Sequence, residues 1–132
     1  MKIGIVEMGG ELNKIFQSEL AGKIETAEFE VKKAFDLFDV LAYSRKLIGA
    51  DHLIVIVQFS EEEPDLKRIF LQGLATLEGE TGKNIFKCFY YEDEDAEGKI
   101  KELAEMFYNV LFHPEKLVKK EEPKEEDFGL PI

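Results

Sequence analysis

Residues 52–59, HLIVIVQF, are apolar almost throughout, and helical patterns lie on either side of them. A run this short, without a polar face, reads as a strand that must be covered on both sides. It belongs in the middle of a sheet. The segments KIGIVE at 2–7, TAEFEVK at 26–32 and NIFKCFYY at 84–91 read as three further strands. In the second, Ala27, Phe29 and Val31 alternate with Glu28, Glu30 and Lys32, which predicts one wet face near a sheet edge.

Four helical patterns separate and follow these strands. Leu12, Ile15, Phe16 and Leu20 share one helical face, as do Leu37, Val40, Leu41, Ser44 and Leu47. Leu66, Ile69, Phe70, Gly73, Leu74 and Leu77 form the third stripe, with Pro64 as a start signal and Gly79 as a stop. Ile100, Leu103, Ala104, Phe107 and Val110 form the fourth, which Pro114 should end. The order β-α-β-α-β-α-β-α favours parallel pairing with right-handed crossovers. The expected fold is a flavodoxin-like three-layer α/β/α sandwich on a four-stranded parallel sheet, spanning residues 1–118 as a single α/β domain. Residues 119–132 read as an acidic tail: 119–127 lack apolar side chains, and Phe128, Leu130, Pro131 and Ile132 end it.

The formal net charge of −11 argues against nucleic acid and anionic membrane as partners, because both are usually met by a basic surface. Lys116, Lys119 and Lys120 come nearest to one and are followed at once by Glu121 and Glu122. No apolar run approaches the ~18 residues of a membrane span. A lone cysteine, Cys88, fits a reducing compartment, and the opening residues read as a strand rather than a secretory signal, so the expected location is the cytoplasm.

Parallel open sheets bind ligands beyond the carboxyl ends of their strands. Here that rim is made by residues 7–11, 33–38, 58–64 and 91–96. Gly9-Gly10 would let a ligand approach the backbone, or simply make a tight turn; no dinucleotide or P-loop fingerprint follows. Glu61 to Glu63 and Glu92 to Asp95 precede helices, where the macrodipole stabilises acids without any function. The alternative is a magnesium site built from Glu7, Glu61 and Asp93. Phe35, Phe38, Phe59, Tyr90 and Tyr91 fall at or near the rim, as stacking surface for a flat ligand or as core and subunit interface. His52 and His113 have no nucleophile beside them and Cys88 lies inside a strand, so a covalent triad is not expected.

The stretch NIFKCFYYEDEDAEGK followed by ELAEMFYNVLFHPEKL resembles the C-terminal part of the archaeal riboflavin synthases. There an apolar strand closes in E-D-E and the last helix ends in Y-x-L-L-F-x-P-E-x-L; here the second motif reads Tyr108, Val110, Leu111, Phe112, Pro114, Glu115 and Leu117. KIGIVE, LFDVLAYSRKLI and LQGLATL are similar to that family's first strand, second helix and third helix, with Asp39, Gly73, Glu92 and Asp93 at matching positions. The resemblance implies a lumazine-synthase-like fold, a homopentamer with sites between neighbours, and no organic cofactor. It implies a transferase of riboflavin biosynthesis that converts two molecules of 6,7-dimethyl-8-ribityllumazine into riboflavin and a diaminouracil. Candidate catalytic residues are Asp39, Arg68, Glu92 and Asp93; candidate substrate-binding residues are Gly9, Gly10, Phe35 and Phe59. The chain departs from the family in a shortened loop after the third strand (QFSEEEP), in Phe35-Asp36 where Pro-Gly is usual, and in Arg68 near a usual histidine. These departures motivate a second expectation: a paralogue that binds ligand or serves as an oligomeric scaffold without catalysis.

Overall fold

A computed structural model describes residues 1–60 and 63–115. The acidic tail and the candidate ligand Glu61 lie outside the described residues. Eight elements follow in strict alternation: β1 (Lys2–Met8), α1 (Leu12–Ala21), β2 (Glu28–Lys33), α2 (Leu37–Leu47), β3 (His52–Phe59), α3 (Pro64–Thr81), β4 (Ile85–Tyr91) and α4 (Ala96–Phe112). All four strands pair in parallel in the order β2-β1-β3-β4. The fold is thus α/β with a flavodoxin-like three-layer arrangement.

The layers follow from the direction of each crossover. The chain leaves β1 for β2 on one side, then returns past β1 to β3 and continues to β4. Right-handed connections that reverse direction must change face. Accordingly α1 packs with α4 and α2 packs with α3. One apolar cluster joins Phe16, Leu20, Ile100, Leu103 and Phe107 to Ile3, Ile5, Ile54, Ile56 and Cys88. The other joins Val40, Leu47, Phe70, Leu74 and Leu77 to Val6, Leu53, Val55 and Val57. Alternate residues of β1 and β3 serve the two clusters, as the two-residue strand period requires.

Three sequence expectations shift. Gly79 does not end α3: the helix continues to Thr81, and Gly82, at φ 71°, supplies the left-handed cap, its N–H donating to the Glu78 carbonyl at 2.8 Å. Val110 is 37% exposed, and Leu111 packs on the core instead. At about 3.6 residues per turn, Leu111 lies nearly in line with Ile100 and Val110 swings off the stripe. Tyr90 is buried in the α1/α4 cluster, so it is core rather than rim.

His52 lies at the opposite end of the sheet from the rim, edge-on to Phe107 at 5.2 Å and to Phe86 at 6.4 Å. Burial pushes its pKa below 6.5, against the pull of Asp51 and with the help of Lys83. The folded state then binds fewer protons than the unfolded chain below about pH 6.5, so stability falls as pH drops through that window. Urea melts between pH 7 and 5.5 should show this decline, and His52→Gln should flatten it. Protonation of Glu94 and Glu78 does not obscure it, because both are held below their ordinary value of 4.5.

Candidate functional site

Reversal of the chain between β1 and β3 opens a crevice at their carboxyl ends, where ligand sites of open parallel sheets form. A cleft of about 620 Å3 lies there, lined by Met8, Gly9, Ala34, Phe35, Gln58, Phe59, Ser60, Tyr91, Glu92 and Asp93. All four strand ends contribute to it. A smaller lobe adjoins it, sharing Met8, Phe35, Phe59 and Ser60 and reaching Lys67 on α3.

The turn after β1 forms one wall. Gly9 and Gly10 take φ of 77° and 65°, a left-handed conformation that ordinary residues rarely adopt. A Cβ on Gly9 would also meet Gln58, and one on Gly10 would meet the Tyr90 hydroxyl. The pair therefore makes a tight turn, and of the two Gly9 borders the cleft.

Below the turn, Glu7 is fully buried. Its carboxylate accepts from the backbone N–H of Leu12 (2.8 Å) and of Asn13 (3.3 Å), from Asn13 Nδ2 (2.5 Å) and from Lys33 Nζ (3.3 Å). Glu7 thus caps α1 from within β1, and Lys33 also donates to the Gly10 carbonyl. No group of three or more potential metal ligands occurs among the described residues. Of the residues in the magnesium expectation, Glu7 has a carboxylate that already serves helix N–H groups.

The acidic run after β4 divides into two pairs. Glu94 accepts from the Tyr91 N–H at 2.8 Å and pairs with Lys99, while Asp95 caps α4 by accepting from the Gly98 N–H at 3.1 Å. The hydrogen bond from Lys99, reinforced by the Tyr91 N–H, holds the Glu94 carboxyl below its usual range. Glu92 and Asp93 instead border the cleft.

Phe35 stands at the rim, 91% exposed. Its loop is braced: Asp39 Oδ2 accepts from the Phe35 N–H at 3.0 Å, and the Asp39 N–H donates to Asp36 Oδ1 at 2.8 Å. Asp39 accordingly positions the aromatic loop and does not border the cleft. Arg68 does not border it either; its side chain is 70% exposed and reaches Asp65 at 3.5 Å.

Phe59 lines the cleft but is only 5% exposed. Its ring meets Phe70, Phe89 and Tyr91, and Lys67 Nζ sits 4.7 Å from its centroid. It is a packed floor, not the open stacking face expected of it. Lys67 also lies 4.7 Å from the Tyr91 ring centroid and donates to the Tyr91 hydroxyl at 2.5 Å. Sequence reasoning missed Lys67. Its position one helical turn after Glu63, facing the rim, was the available signal.

Cys88 is buried, and loss of solvation pushes its thiol up to about 11, which keeps it protonated and unreactive. Among the described residues no helix is long and apolar enough to cross a membrane. Comparison of the chain with protein-family models finds no match, and comparison with curated protein sequences finds none either.

Proposed function

We propose that the rim cleft binds a flat, oxygen-bearing heterocycle of the lumazine class, in a transferase that joins two such molecules into riboflavin and a diaminouracil. The observation that carries the reading is Phe35, an aromatic ring 91% exposed on a braced loop beside an aromatic floor. A ring held open at the mouth of a cleft is available to stack on a flat ligand. A cleft of about 620 Å3 also falls within the usual range for small-molecule sites.

In this reading catalysis rests mainly on holding two rings face to face, which turns a bimolecular step into a near-unimolecular one. Phe35 stacks against one ring. Glu92 and Asp93 are the carboxylates placed to move protons at the mouth. The second ring comes from a neighbouring copy, in keeping with the pentamer that the family resemblance implies. Exposed Phe38 and Ile69 supply apolar surface for such contacts.

The test is incubation with 6,7-dimethyl-8-ribityllumazine at elevated temperature, with riboflavin followed by its fluorescence. Phe35→Ala should weaken lumazine binding roughly three- to tenfold, the loss of one aromatic contact, while the urea midpoint stays unchanged because the ring is exposed. Equal binding by the variant would remove the stacking role. A native particle of five times 15.2 kDa supports the shared site; a monomer removes it.

A carrier without catalysis is the second reading. It is favoured by one observation: of the four candidate catalytic residues, Asp39 and Arg68 do not border the cleft. Tight binding with no riboflavin formed would select it.

A further inference from the structure

The Lys67–Tyr91 pair has a directional consequence. A lysine ammonium has donors and no acceptor, so in the 2.5 Å contact the Tyr91 hydroxyl oxygen must accept. The hydroxyl proton of Tyr91 is therefore left to point elsewhere, and Tyr91 lines the rim cleft. Lys67 Nζ also lies 4.7 Å from the Phe59 ring centroid, so the cation is held between an aromatic ring and the Tyr91 hydroxyl. A cation bonded to the oxygen draws electron density from it and strengthens the O–H as a donor.

We propose that Tyr91, held by Lys67, is the specificity-determining contact of the cleft, donating its hydroxyl proton in a hydrogen bond to a ring carbonyl oxygen of the ligand. This rests on the reading that an oxygen-bearing heterocycle occupies the cleft, and adds to it the residue that selects its ring carbonyl over an amino group. An amino substituent at the same place would set donor against donor and leave the hydroxyl proton unpaired, which sites built around a hydrogen bond reject strongly. Lys67 acts through Tyr91 as a positioning residue.

The test compares two flat ligands of matched shape, pteridine-2,4-dione and 2,4-diaminopteridine, by fluorescence titration against the full chain. The wild type should prefer the dione. Tyr91→Phe, which keeps the ring and its packing, should weaken the dione roughly three- to tenfold, the worth of one hydrogen bond, and change the diamine less than twofold. Lys67→Met should lower the preference for the dione, and Lys67→Arg, which still offers a donor to the hydroxyl, should retain it. Equal losses for both ligands in Tyr91→Phe, or no loss for either, would overturn the proposal while leaving the cleft's ligand class standing. Failure of the wild type to bind either pteridine would overturn both.

Discussion

Glu7→Leu is expected to destabilise the protein by about 3 kcal/mol, read as a fall of roughly 1–2 M in the urea midpoint. The side chain is fully buried and accepts from two backbone N–H groups at the start of α1 and from Asn13 Nδ2. Leucine fills similar space but accepts nothing, so these donors lose their partner where water cannot replace it. Each unsatisfied buried donor costs about 1–3 kcal/mol. The ion pair to Lys33 adds less, since the lysine side chain is 43% exposed. Glu7→Gln, which keeps one acceptor oxygen, should cost distinctly less. Equal losses in the two variants would mean that shape rather than hydrogen bonding sets the requirement.

The second large effect is expected at the other end of the sheet. Phe107→Ala should cost about 3–5 kcal/mol, the usual range for an aromatic ring removed from a core. Phe107 is fully buried, with ring centroids of Phe86, His52 and Phe16 at 4.9, 5.2 and 5.7 Å. Three stiff neighbours cannot collapse into the space. Phe107→Leu should recover more than half of the loss. Pteridine affinity, measured well below the unfolding midpoint, should stay unchanged, because the ring lies remote from the rim. A loss below 1 kcal/mol would mean that the cluster relaxes more than this packing suggests.

The fold was legible because hydrophobic period changes with element type: continuous in β3, alternating in β2, and helical in the segments between. Alternation also gave the parallel sheet, since each crossover helix brings the next strand back in the same direction. Element ends were less legible. Gly79 and Gly82 are equivalent as letters, and only the φ of 71° at Gly82 distinguishes the cap. At the site, sequence located the four loops and brought Gly9, Phe35, Phe59, Glu92 and Asp93 to one cleft. It could not show which residues were already occupied. Asp39 braces a loop, Glu7 caps a helix and Phe59 is packed on its neighbours, all through contacts with residues distant in sequence or fixed by local geometry. Lys67 escaped because its one signal, a place one helical turn after Glu63 at the rim, is shared by many solvated helix lysines.

The two apolar clusters lie on opposite faces of a sheet one strand thick, and among the described residues no side chain belongs to both. A methyl group lost beneath α4 can therefore be made good only from α1, α4 or the same face of a strand; enlarging a residue beneath α3 offers no help. Repair of damage to this protein, whether by chance or by intent, has to be found on the injured side.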